Sequence, residues 1–199
     1  MAGPASREPV SVAAYLAEER ARAEKHVLWD GETFAMAGGT PTHNLLVAAI
    51  LRELGVRLRG RPCQPYGSDQ RIGMAALLRS RSGARRYVYP DASVICKPTE
   101  LDPEDPDTIV NPTLVVEVLS ESTEAFDRGE KFVAYRGVRS LSDYLLVSQA
   151  SVRIEHYVRQ DDAGWVLRTY GPGQTIVVRS LGIELPVDDI YEGVLEPQS

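Results

Sequence analysis

The stretch NPTLVVEVLS, residues 111–120, constrains this chain more than any other. Its branched apolar run from Leu114 to Ser120 reads as a β-strand, and its short flanking loops predict a central place in a sheet. Alternation puts Val115, Glu117 and Leu119 on one face and Leu114, Val116 and Val118 on the other. Glu117 therefore falls among apolar neighbours. An ionised carboxylate there is costly unless a cation, a metal or a proton compensates it, and a buried arginine is one competing solution.

Two other segments supply candidates. In YVYPDASVIC, residues 87–96, Asp91 shares a face with Tyr89, Ser93 and Ile95, and Pro90 before it removes a ladder donor. If this strand lies beside the first, Asp91 and Glu117 converge into an oxygen site suited to a hard cation such as Mg²⁺. Ser122 to Tyr135 changes to helical period, capped by Ser122 or Thr123, and places Asp127, Lys131 and Tyr135 in one stripe. A lysine there can reach the strand end and steady negative charge in a transition state. Taken singly, Asp127 with Lys131 reads as an exposed ion pair and Asp91 as a turn acid. Their combination with Glu117 points to a site.

The 199 residues suit one domain, over 10–192, with flexible ends at 1–9 and 193–199. The fold class is α/β (α+β), a mixed sheet flanked by helices. Helices are expected over Val10–Lys25 and over Thr42–Leu58, the second capped by Thr42 just before His43. Asp30-Gly31 signals a tight hairpin turn, with Glu32 directly after it. Strands are expected over Asp69–Leu78 and Arg86–Cys96, joined through SRSGA, then Asp143–Ser148, Val152–Arg159, Trp165–Tyr170 and Thr175–Val178.

A net charge of −6 gives no global sign of a nucleic-acid partner. Locally, Arg79, Arg81, Arg85 and Arg86 cluster at the expected hairpin end, and five acids crowd a Pro-rich loop over Glu100–Asp107. Cys63 and Cys96 lack metal-ligand spacing and are expected to be reduced. No apolar run approaches the roughly eighteen residues of a membrane span, and MAGPASREPV lacks the pattern of a signal peptide, so a cytoplasmic location is expected.

The joint pattern of Pro90-Asp91, VVEVLSEST, DRGEK, Tyr135 and DYLLV resembles the Uma-type family of "putative restriction endonucleases", and WDGE with Glu32 and the PTHN opening of the long helix match it too. The resemblance covers nearly the whole chain and implies the PD-(D/E)XK nuclease fold, a restriction-endonuclease-like mixed sheet. It implies a Mg²⁺ (or Mn²⁺) site with Asp91 and Glu117 as ligands and the Val118 carbonyl as a third, serving an endodeoxyribonuclease that hydrolyses DNA phosphodiester bonds. In the general pattern the lysine stands two residues after the glutamate, where this chain has Leu119, and Lys131 is the substitute. Glu32, His43 and Tyr135 extend the candidate site, with Asp69 and Arg71 ranked lower. The Arg79, Arg81, Arg85 and Arg86 cluster is the expected DNA contact, DNA the partner, and a homodimer follows if both strands are cut. The alternative is a binding or regulatory module that keeps the fold without catalysis. A carboxylate-pair glycosidase wants an aromatic-lined cleft, for which 7% aromatic residues offer little. His26 and His156 carry no functional expectation.

Overall fold

The computed structural model describes residues 8–74, 85–161 and 164–195. In chain order the elements are α1 (Val12–Ala21), β1 (His26–Trp29), β2 (Glu32–Ala35), α2 (Pro41–Arg57), β3 (Cys63–Gly67), β4 (Arg71–Met74), β5 (Arg86–Val88), β6 (Ala92–Cys96), β7 (Leu101–Asp102), β8 (Asp105–Ile109) and β9 (Pro112–Leu119). A continuous helical segment follows, made of α3 (Glu124–Phe126), a π-helical turn (Asp127–Lys131) and α4 (Phe132–Arg136). Then come β10 (Asp143–Ser148), β11 (Ile154–Arg159), β12 (Trp165–Tyr170), β13 (Thr175–Val178), β14 (Ile183–Pro186) and α5 (Val187–Tyr191).

The strands form a sheet ordered β12-β11-β10-β9-β6-β3, a second ordered β2-β1-β5-β4-β8-β7, and the β13-β14 hairpin. In the first sheet β9 and β10 are parallel and the other pairs antiparallel. A parallel pair needs a crossover, and the helical segment from Glu124 to Arg136 supplies it. This crossover explains why β9 is apolar on both faces. Leu114, Val116 and Val118 pack with Leu46, Ile50 and Leu54 of α2. Val115 and Leu119 pack with Phe132, Tyr135 and Tyr144, and with Ile72, Met74 and Val88 of the second sheet. Position 119 is thus filled by a core leucine that supports the crossover helix.

Three expectations change. The strand expected over Arg86–Cys96 is broken at Tyr89-Pro90-Asp91, because Pro90 cannot donate to a ladder; β5 and β6 consequently belong to different sheets. Helix α2 is capped by Thr40, whose Oγ1 accepts from the His43 amide at 3.1 Å, with Pro41 in the first turn. The cysteines are joined rather than reduced: Cys63 and Cys96 stand opposite each other on β3 and β6 and form a disulfide. Closing a 33-residue separation, the bridge should contribute about 3–4 kcal/mol through the unfolded chain. Dithiothreitol should therefore lower the urea midpoint, and the unreduced, unfolded protein should show no free thiol.

The acid-rich segment also differs from an exposed loop. It forms β7 and β8, and it buries Asp102 and Asp105. Asp105 accepts from Arg20 at 2.6 Å and from both Arg71 and Thr108. Burial raises the Asp105 pKa, but the hydrogen bonds from Thr108, Arg20 and Arg71 outweigh it and hold the carboxyl down to about 2. The unfolded carboxyl titrates near 3.9. The stabilisation is therefore complete above about pH 5 and is lost as pH falls through about 2. Asp105→Asn should cost about 3–5 kcal/mol at neutral pH by urea unfolding, and the gap to the parent should narrow between pH 5 and 2.

No described helix is long and apolar enough to cross a membrane.

Candidate active site

Ala92 of β6 pairs with Val116 of β9 in antiparallel register, so Asp91 and Glu117 occupy the next opposed positions, where the chain enters β6. Asp91 follows the Pro90 break, and its side chain remains 16% exposed. The Val118 amide donates to Asp91 Oδ2 at 2.7 Å, and His43 Nε2 lies 3.3 Å from the same oxygen. Both contacts therefore restrain one carboxylate oxygen at the strand end.

Glu117 is buried and is met from the crossover helix. Lys131 Nζ stands 2.8 Å from Glu117 Oε1 and 3.0 Å from Asp127 Oδ1, and the Tyr135 hydroxyl donates to Glu117 Oε1 at 3.3 Å. Lys131 and Asp127 are 12% and 4% exposed, so their i,i+4 contact is not a solvated helical ion pair. The π-helical turn lies at Asp127–Lys131, a widened geometry that often marks functional sites. Tyr144 donates to the Asp127 carbonyl at 3.0 Å and ties this turn to β10. Leu119 holds the position two residues after Glu117, and Lys131 reaches Glu117 from the helix.

The electrostatics follow from two buried acids sharing one base. Burial pushes the Glu117 carboxyl up to about 8, against the pull of Lys131 and helped by Asp127 and Asp91. Burial works against the Lys131 ammonium, yet Glu117 and Asp127 together hold its pKa above the ordinary lysine value. The His43 pKa is raised by its hydrogen bond to Asp91, opposed by burial, with the Val118 backbone adding to the upward shift. The cluster is short of positive charge and has an open carboxylate beside it.

The other sequence candidates are distributed as follows. Glu32 is exposed at the start of β2, and no contact among the described residues joins it to the carboxylates. Arg85 pairs with Asp102 at 2.8 Å and Glu104 at 3.4 Å. Arg86 forks onto Asp30 at 2.8 and 3.0 Å and stacks 4.3 Å from the Trp29 ring centre. Both are thus engaged in holding the second sheet instead of standing free for a phosphate. Arg79 and Arg81 lie outside the described residues. Arg71 belongs to the Asp105 network, and Asp69 is exposed against Lys25. His156 is buried against Asp143 at 2.6 Å.

Two residues escaped the sequence reading, Thr40 and Gln149. Thr40 Oγ1 donates to Gln149 Oε1 at 2.8 Å, and Gln149 Nε2 donates to the Leu119 carbonyl at 2.9 Å. Both line a cleft of about 750 Å³ together with Ser120, Ser122 and Glu124. Thr40 had a visible signal, since Thr-Pro before a helical period is a cap; Gln149 had none, because its contacts bridge three distant segments.

The mixed sheet around the parallel β9–β10 pair, with its helical crossover, is of the restriction-endonuclease-like fold class. The chain belongs to the Uma2 family, described as "putative restriction endonuclease", whose model matches residues 12–188. It is 38% identical over 180 residues to an uncharacterized protein of Synechocystis, with 90% of each chain covered. It is 32% identical over 163 residues to a second uncharacterized Synechocystis protein, covering 82% of this chain and 88% of that one. In fold it is similar to the crystal structure of a putative nuclease, belonging to DUF820, from Anabaena variabilis. That likeness has a TM-score of 0.73 at 12% identity, over 94% of this chain and 100% of the other. Family and fold together support a nuclease-like function.

Proposed function

We propose that the protein is a Mg²⁺- or Mn²⁺-dependent endonuclease that hydrolyses DNA phosphodiester bonds. The observation that carries this reading is the meeting of Asp91, Glu117 and Lys131 at neighbouring strand ends, with Lys131 Nζ 2.8 Å from Glu117. Among the described residues no group of three or more His, Cys, Asp and Glu side chains could hold a metal. The donors offered are the opposed pair Asp91 and Glu117, and Mg²⁺ takes one or two carboxylates and fills its remaining positions with waters and substrate phosphate. Asp91, Glu117 and the Val118 carbonyl are the groups that would hold it. A bound cation supplies Lewis-acid polarisation of the phosphate and a more acidic water.

The chain's own residues do the rest. Val118 and His43 fix Asp91 through Oδ2. Tyr135 orients the Glu117 carboxylate by its hydrogen bond to Oε1. Lys131, held between Glu117 and Asp127, brings a buried ammonium to where negative charge grows on the phosphate oxygens, and in this low-dielectric setting such a charge acts strongly. In this reading a homodimer would bring one site to each strand of a duplex.

A second reading is favoured by one observation: Lys131 already neutralises part of Glu117, as in a binding module that keeps the fold without cleavage. Calorimetric titration with Mn²⁺ and Mg²⁺ separates the two. The endonuclease reading expects saturable binding that is lost in Asp91→Ala, and absence of binding to the parent protein leaves the module.

A further inference from the structure

We infer that Thr40 and Gln149 are positioning residues that act through His43 to hold the Asp91 carboxylate in place. The inference rests on the endonuclease reading for its functional consequence. Its geometric content stands apart from that reading.

The argument begins with how weakly Asp91 is held by its own strand. It lies at the point where the chain, broken by Pro90, passes from one sheet to the other. Its fixation comes from outside: the Val118 amide at 2.7 Å and His43 Nε2 at 3.3 Å, both on Oδ2. His43 sits in the first turn of α2, and the residues before it, Gly38, Gly39 and Thr40, are exposed. A helix start of this kind leaves orphan amides and frays readily unless tied down.

The tie is a closed ring of polar contacts. The Leu119 carbonyl accepts from Gln149 Nε2 at 2.9 Å, and Gln149 Oε1 accepts from Thr40 Oγ1 at 2.8 Å. Thr40 Oγ1 accepts from the His43 amide at 3.1 Å, and His43 reaches Asp91, which accepts from Val118. The ring starts on the Leu119 carbonyl and ends on the amide of the residue before it. It therefore locks α2, the β10–β11 turn and the end of β9 into one frame around the Asp91 carboxylate.

A second observation shows that the His43 ring is held tightly. Its Nδ1 is buried without a hydrogen-bond partner among the described residues. A Cβ placed on Gly39 would meet Nδ1 at 2.6 Å and the adjoining ring carbon at 2.9 Å. The glycine lets its backbone lie against the ring, which restricts the ring on that side. Gly39→Ala must displace the imidazole or the Gly39 backbone that packs against it.

The test reads the Asp91 contact directly, through the Val118 amide in ¹H–¹⁵N spectra and its hydrogen exchange, and reads function through Mn²⁺ affinity by calorimetry. Gln149→Leu, Gly39→Ala and His43→Phe should each shift the Val118 amide and speed its exchange by about tenfold or more. His43→Gln, which keeps a donor near the Nε2 position, and Thr40→Ser, which keeps the hydroxyl, should stay close to the parent. Mn²⁺ affinity should fall by about 10–100-fold in His43→Phe, as for other residues that orient a ligand. A Val118 amide unchanged in Gln149→Leu and Gly39→Ala, in folded proteins with parental melting curves, overturns the inference. A parent protein that binds no Mn²⁺ overturns the endonuclease reading, and the Val118 amide still decides the clamp.

Discussion

Glu117→Gln should abolish Mg²⁺-supported DNA cleavage, by about 10²–10³-fold or more, while leaving the melting temperature unchanged or raised. On the endonuclease reading the two effects separate, because Glu117 then serves chemistry at the expense of the core. It is buried with Asp127 around a single lysine, and burial pushes its carboxyl up to about 8. A neutral amide of the same shape can keep the Tyr135 hydrogen bond at Oε1 and spares the core a carboxylate whose charged form burial disfavours. Lys131 keeps Asp127 at 3.0 Å as its counterion. A purely structural glutamate would show the reverse, with stability falling and any cleavage retained. Thermal unfolding and cleavage rates on the same preparation distinguish the two patterns.

Lys131→Met should cost about 3–5 kcal/mol in folding, because it leaves two buried carboxylates without their shared cation. For a chain of this length that corresponds to roughly 10 °C or more in melting temperature. On the endonuclease reading cleavage should fall by about 10²–10³-fold in kcat, with KM for DNA changing less, since the ammonium would act on charge that develops in the transition state. A fall confined to KM would make Lys131 a DNA-binding residue with no part in the chemistry. Calorimetric or fluorescence melting and steady-state kinetics supply both readouts.

The elements legible in the sequence are those whose pattern is local. β10, β12 and β13 have the bounds expected from alternation, and β9 differs from expectation by a residue or two, since branched apolar runs state their own burial. β3 was missed because CQPYG carries a proline and no alternation; its place in the sheet comes from pairing with β6 and the disulfide. β7 and β8 were missed because Asp102 and Asp105 look like surface acids. Their burial is set by Arg85, Arg20 and Arg71, which lie between 17 and 85 residues away in the chain.

The candidate site divides in the same way. Glu117, Asp91 and Lys131 could be singled out because each breaks or punctuates a regular pattern. Their mutual geometry depended on β6 lying beside β9, which no local signal states. Arg86 looked like a free basic contact in sequence and is instead forked onto Asp30 over Trp29. Gln149 follows a strand as an ordinary polar turn residue, and only the folded chain brings it between Thr40 and Leu119.

The most direct test of the central claim is nicking of supercoiled plasmid DNA by the parent protein, with linear and single-stranded DNA alongside. The comparison is between Mg²⁺ and excess chelator, with Glu117→Ala and Asp91→Ala as controls. Cleavage in Mg²⁺ that disappears with the chelator and in both variants is the predicted result. Cleavage that persists in either variant, or a parent protein that binds Mg²⁺ and leaves every form of DNA intact, would contradict it.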